Sequence, residues 1–421
     1  MISSRRLPSI VLFSLAALGT ASGQNPVIDW NNTAITTALA ANQTTAPGSN
    51  SQPGSILYLA YVHLAVYDAV NAIDHRFQSY GPDIPAPADA SLEAAAIEAA
   101  FRTLVQLFPD QASTLTTQYN ADLSLIPDGQ AKADGMRVGQ AAAASIMTLR
   151  AGDGRGASVP YTWPSTATAG VWIPTPPALA APAIPWLSKV VPFTMKSPSD
   201  FRPDPPFSLS SSEWADDYNQ VKTLGAVKST VRTPAQTEIA LFWTDHVGVQ
   251  YSRAFRALAI GRNLDISDTA RLFAILYTTG ADAAIGCWDA KYYYSFWRPV
   301  TAINNGGLDG NQATVADPSW SPLLATPNHP EYPSAHSCVT GSVANALKNF
   351  FGTSNVTMVI SSAVTSTTRS FTGISDWEKE VQDARVLAGF HYHNSTVQGV
   401  TLGRKVSDGV TGGFFQPLSK H

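Results

Sequence analysis

The residues able to do chemistry gather in the last third of the chain. Lys291 and Arg298 stand seven positions apart in K-Y-Y-Y-S-F-W-R-P, a segment closed by Pro299. Seven steps of about 100° make nearly two helical turns, so an unbroken helix would place both cations on one face. The intervening Tyr292, Tyr293, Tyr294, Phe296 and Trp297 imply that this face is packed, and packed cations require an anion. In N-H-P-E-Y-P-S-A-H-S (328–337), Pro333 interrupts what precedes it, and Ser334 suits the N-cap of a helix running to Phe351. Unpaired N–H groups, a hydroxyl and His336 on the first turn form an anion site. In A-R-V-L-A-G-F-H-Y-H-N-S (384–395), Arg385 and His391 are out of phase on a straight helix. They converge only if the helix is interrupted, and Gly389 is the place for it. Ser395, one turn beyond His391, is within reach of its ring. This set suits a tetrahedral or trigonal-bipyramidal oxyanion. Lys and Arg supply charge, Ser and N–H groups bind oxygens, one His bonds the central atom and the other serves as acid/base.

Positioning such a set requires long helices. From Ile56 the chain is apolar on all sides, the mark of a buried helix. Helical patterns follow at Ser91–Phe108, Gln111–Leu125 and Ala131–Arg150, the last ending at Gly152-Asp153-Gly154. They resume at Ser211–Leu224, Thr233–Arg262, Ser267–Trp297, Ser334–Phe351, Ser375–His393 and Thr396–Gly409. Residues 24–54, rich in Asn, Thr, Ser, Gly and Pro, read as an extended arm with one short helix. Residues 160–206 hold 12 of the 29 prolines together with Trp163, Trp172 and Trp186, so they read as an irregular segment wrapped over the helices, either a cover or a pocket rim. The fold expected is all-α, a large helical bundle with one long proline-rich excursion. Its helical halves are 24–230 and 231–421, packed as one unit.

Composition narrows the function classes. The 421 residues are 44% hydrophobic and 14% charged, with a net charge of −4, which leaves no basic excess for nucleic acid. Arg5 and Arg6, the apolar run Leu7–Thr20 and Ala21-Ser22-Gly23 read as a secretory signal over residues 1–23, so export without a membrane span is expected. Sequons occur at Asn31, Asn42, Asn355 and Asn394. Cys287 and Cys338 each lie within a turn of a motif, so they are expected to be close, either as a disulfide or as separate thiols. His63 and His246 read as core or supporting residues. Asp282 or Asp289 could hold Arg385 or Arg298, with Asp282 preferred.

The three segments together resemble the phosphatidic acid phosphatase type 2/vanadium-dependent haloperoxidase superfamily. Its pattern, K-x6-R-P, P-S-G-H and S-R-x5-H-x3-D, appears here as Lys291…Arg298-Pro299, Pro333-Ser334-Ala335-His336 and Ala384-Arg385…His391…Ser395. The resemblance implies the helical bundle of the vanadium haloperoxidases, with a vanadate cofactor for which phosphate competes. It implies that Lys291, Arg298, Arg385, Ser334 and the Ala335 N–H bind oxyanion oxygens. His391 would be the vanadium ligand, or the nucleophile of a phosphatase, His336 the acid/base, and Lys291 the group polarising peroxide. Ala335 stands for Gly, Ala384 for Ser, and Ser395 for Asp; the last removes a carboxylate behind His391 and speaks against a phosphatase nucleophile. The implied activity is oxidation of bromide or iodide by hydrogen peroxide to hypohalous acid, with small organic acceptors. A secreted acid phosphatase with a phosphohistidine is the alternative. Trp288 and His329 fall where the family's halide pocket lies, and an imidazole in the second position resembles bromide-oxidising members.

Overall fold

The computed structural model describes residues 25–418. The signal assigned to residues 1–23 lies outside them. The N-terminal half holds α1 (Pro26–Ala40), α2 (Gln52–Asp74), α3 (Leu92–Leu107), α4 (Ala112–Ser124) and α5 (Gln130–Leu149). α6 (Ser212–Leu224) ends the N-terminal half, and the C-terminal half holds α7 (Pro234–Phe242), α8 (Val247–Gly261), α9 (Ile266–Tyr294), α10 (Pro299–Asn304), α11 (Ala335–Phe351), α12 (Ile374–Leu387) and α13 (His393–Gly413). The architecture is the helical bundle expected. A short antiparallel hairpin, β1 (Met358–Ser362) with β2 (Thr367–Phe371), is an addition the sequence did not announce. The apolar α2 is long enough to cross a bilayer, yet it is buried from Gly54 to Ile73, against α3, α5 and the central α9.

Three expectations about the elements are corrected. The polar stretch after residue 24 is not mainly an arm. Asn25 caps α1 and Pro26 opens it, and the helix buries Trp30 and Asn31. The Asn31 amide reaches His63 and the Tyr277 hydroxyl, both at 2.8 Å, so this sequon is part of a buried polar network. Thr233–Arg262 is not one helix. It breaks after Phe242, and the Trp243 carbonyl freed there accepts from Arg385 at 2.9 Å. Lys291 and Arg298 do not share a helix. Ser295, at φ 48°, ends α9 between them, and Arg298 is the residue preceding α10.

What brings the motifs together is close helix packing. α11 and α13 approach through glycine. A Cβ on Gly341 would lie 2.7 Å from the Val400 carbonyl oxygen, and one on Gly399 would lie 2.7 Å from that of Ser334. α9 packs against both. Cys287 and Cys338 are neighbours at the α9–α11 contact, as expected, but as free buried thiols rather than a disulfide, with Cys287 Sγ 3.7 Å from the Pro333 carbonyl oxygen. The helix carrying Arg385 stops at Leu387, and Gly389, at φ 79°, turns the chain toward His391.

The proline-rich segment is tied down by the acids expected to serve the arginines. Asp282, fully buried, instead accepts from the Phe193 and Thr194 N–H groups at 2.7 and 2.8 Å and from the Thr194 hydroxyl at 2.6 Å. Asp289 pairs bidentately with Arg202 at 2.8 and 3.0 Å. Neither touches Arg298 or Arg385. The segment crosses the bundle so that Ala183 and Ile184 form part of a cavity wall, making it a rim as well as a cover.

Candidate active site

A cavity of about 380 Å³ opens where α9, α11, the α12–α13 turn and the proline-rich segment meet. Trp288, His329, Ala335, His336, Arg385 and His391 line it. Lys291, Arg298 and Ser334 lie just behind that wall, fully buried.

His391 is held from both sides. Its Nδ1 lies 2.7 Å from Glu331 Oε1, and its Nε2 lies 3.2 Å from Arg298 Nη1. Guanidinium only donates, so Nε2 accepts and the ring proton sits on Nδ1, directed at Glu331. Ser395 Oγ is 3.4 Å from Nδ1, close as expected but the longer contact. Glu331 also accepts from the Tyr392 N–H at 3.1 Å and is completely buried. Glu331 stands inside the 328–337 segment but was not among the residues expected to form the site, since nothing in the local sequence sets it apart from its proline, serine and histidine neighbours.

Arg298 knits the site. Its Nε donates to the His329 carbonyl at 3.0 Å, its Nη1 to the Phe390 carbonyl at 2.9 Å, and its Nη2 faces His329 Nδ1 at 3.0 Å. Lys291 sits beneath the 330–333 loop and gives all three ammonium protons to carbonyls: Pro330 at 3.0 Å, Glu331 at 2.9 Å and Pro333 at 2.6 Å. Arg385 lies over the Phe390 ring, with its Nε buried and unpartnered. Ser334 precedes α11 without capping it. Its Oγ accepts from Ser337 Oγ at 3.1 Å, which leaves its own proton available. His336 Nε2 is buried without a partner. The His329 and Trp288 rings lie 5.1 Å apart on the cavity wall.

The electrostatics favour an anion. Lys291, Arg298 and Arg385 are buried around a single carboxylate, Glu331. Burial pushes Lys291 down to about 8, Arg298 down to about 10 and Arg385 down to about 9. Burial also pushes Glu331 up to about 7, with Arg298 and Lys291 acting in the opposite sense. His329, His336 and His391 are driven well below the ordinary imidazole range, by burial first and by the neighbouring cations second, so all three rings are neutral. Excess buried cation, unpartnered Arg385 Nε and His336 Nε2, and an accepting His391 Nε2 fit an oxyanion whose central atom takes a nitrogen ligand. Vanadate meets that description, and phosphate shares its shape and charge.

The fold is shared with proteins of known structure. Residues 271–418 match the family described as the VCPO second helical-bundle domain. The structure superposes on a bacterial vanadium-dependent iodoperoxidase with a TM-score of 0.77 and 24% identity, covering 93% of this chain and 98% of that one. It superposes on a holo-type bacterial vanadium-dependent chloroperoxidase with a TM-score of 0.70 and 17% identity, covering 87% and 93%. Vanadium chloroperoxidase of Curvularia inaequalis is 26% identical over 184 residues, 36% of this chain and 30% of that protein, so less than a third of that relative's length is matched. The chain therefore has the fold seen in the vanadium haloperoxidases, and its residues 271–418 are similar to the VCPO second helical-bundle domain.

Proposed function

We propose that the protein is a vanadium-dependent haloperoxidase that oxidises bromide or iodide with hydrogen peroxide. The observation that carries this reading is the accepting Nε2 of a neutral His391, set among three buried cations at the edge of the cavity. His391 would hold vanadate through Nε2. Arg298, Arg385, the Ser334 hydroxyl and the α11 N–H groups would hold its oxygens. Bound vanadate would supply a Lewis-acid centre that activates hydrogen peroxide toward halide. His336, neutral with a free Nε2, accepts and returns protons at the cavity face. Lys291 places its positive charge under the loop that carries His329 and Glu331. The apolar wall of Ile184, Val247, Leu324 and Phe390 gives small organic acceptors a surface to rest on.

The loss of the carboxylate at Ser395 no longer speaks against a phosphatase, because Glu331 stands behind His391 instead. Support for the peroxidase reading comes from the shared fold and from the Trp288–His329 wall. The deciding assay uses metal-stripped protein, with and without orthovanadate, against halide plus peroxide and against a phosphate monoester. Halide oxidation restored by vanadate and suppressed by excess phosphate is expected. Ester hydrolysis without halide oxidation would overturn the reading.

Halide choice is proposed to rest on His329. Its imidazole keeps the slot beside Trp288 polar, which alters halide desolvation. Chloride, the hardest of the three to oxidise, suffers first. His329→Phe is expected to raise the ratio of chloride to bromide turnover. A ratio unchanged by the substitution would remove His329 from this role.

A further inference from the structure

We propose that Glu331 is the positioning residue for His391, fixing the ring's tautomer and orientation from the loop before α11, and that position 395 on α13 can take over this task if it carries a carboxylate. The proposal rests on the reading that His391 Nε2 bonds vanadate.

Arg298 Nη1, which can only donate, lies 3.2 Å from Nε2, so a neutral ring must carry its proton on Nδ1. That proton points at Glu331 Oε1, 2.7 Å away. The Tyr392 N–H donates to the same oxygen at 3.1 Å, so the carboxylate is anchored by the residue following the histidine it orients. The Arg298 contact is the longer of the two, and the same Nη1 already serves the Phe390 carbonyl at 2.9 Å, so it holds the tautomer only weakly by itself. Without Glu331 the Ser395 hydroxyl can donate to Nδ1 and the ring proton can move to Nε2, which closes that nitrogen to a ligand. A partner that holds a ligating imidazole in one tautomer also raises its basicity, and loss of such partners lowers affinity about 10–100-fold. Ser395 approaches Nδ1 from α13 at 3.4 Å, and its side chain is buried beside Glu331 in a chamber that also touches Tyr332 and Tyr392. A carboxylate there, with the Glu331 side chain trimmed, reaches the same ring nitrogen from the other side.

Three variants test this: Glu331→Gln, Glu331→Ala, and Glu331→Ala combined with Ser395→Asp. The first readout is the 15N pattern of the His391 ring in anion-free protein. Wild type is expected to show a single tautomer protonated at Nδ1. Glu331→Ala is expected to lose it, and the double variant to regain it. The second readout is orthovanadate affinity, with inorganic phosphate as a parallel probe. Glu331→Gln and Glu331→Ala are expected to bind vanadate about 10–100-fold more weakly, and the double variant to recover most of that loss. Should Glu331→Ala not fold, the isosteric Glu331→Gln and the double variant carry the test. Wild-type vanadate affinity in Glu331→Gln would overturn the proposal. So would a double variant no tighter than Glu331→Gln or an Nε2-protonated ring in wild type. The ring pattern is read without any anion, so a protein that failed to oxidise halide would sink the function while leaving this assignment measurable.

Discussion

His391→Ala is expected to abolish vanadate binding and halide oxidation together, whereas His336→Ala leaves vanadate bound but more weakly, with turnover lost. The two rings are placed for different work. His391 is clamped between Glu331 and Arg298, with its accepting Nε2 at the cavity wall, as a ligand must be. His336 has no such clamp. Its Nε2 is unpartnered on the first turn of α11, free to exchange a proton or a hydrogen bond. Removing the ligand deletes a bond to the central atom, and neighbouring cations cannot replace it. Removing His336 deletes one polar contact, worth about a factor of ten in binding at 1.5 kcal/mol. Vanadium content measured after desalting separates the two cases. Equal occupancy in both variants would refute the division of roles.

Lys291→Met should lower stability as well as activity. The ammonium gives its three protons to the carbonyls of Pro330, Glu331 and Pro333. A thioether of similar length fills the space but leaves those buried oxygens without a donor, at about 1–3 kcal/mol for each that finds no other partner. The loop they belong to carries His329 and Glu331 and leads into Ser334, so its loosening would disturb each wall of the site. An unfolding midpoint clearly below wild type, in the same buffer without vanadate, is the expected result. Unchanged stability with weakened vanadate affinity would mean that Lys291 leaves the carbonyls and serves the oxyanion directly.

Much of the site could be read from local sequence. Motif spacing placed Arg298, Arg385, His336 and His391 in one region, and Gly389 marked the interruption that turns Arg385 and His391 toward the same cavity. What escaped depended on distant partners. Glu331 has no distinguishing local signal, and it becomes the partner of His391 only because α13 packs against α11 at glycine-thin contacts. Ser295 ends α9 in a left-handed conformation with neither glycine nor proline to announce it, so helical phase misplaced Arg298 relative to Lys291. The two cations still converge because the 329–333 loop passes between them, accepting from Arg298 at His329 and from Lys291 at Pro330, Glu331 and Pro333. Asp282 and Asp289 looked available to the arginines, but the proline-rich segment supplied nearer donors. α1 was hidden by the Asn and Thr residues within it and the polar stretch that follows it, since the amide of Asn31 is satisfied inside the bundle by residues 32 and 246 positions away.

The central claim is that His391 Nε2 is the protein's bond to an oxyanion held by buried cations. A crystal structure of the protein with orthovanadate tests it most directly. Vanadium density bonded to Nε2 of His391 is expected, with Glu331 still on Nδ1 and Arg298 withdrawn from Nε2 to the oxyanion. Vanadium bonded to His336, or lying elsewhere in the cavity with Arg298 still on His391, would contradict it.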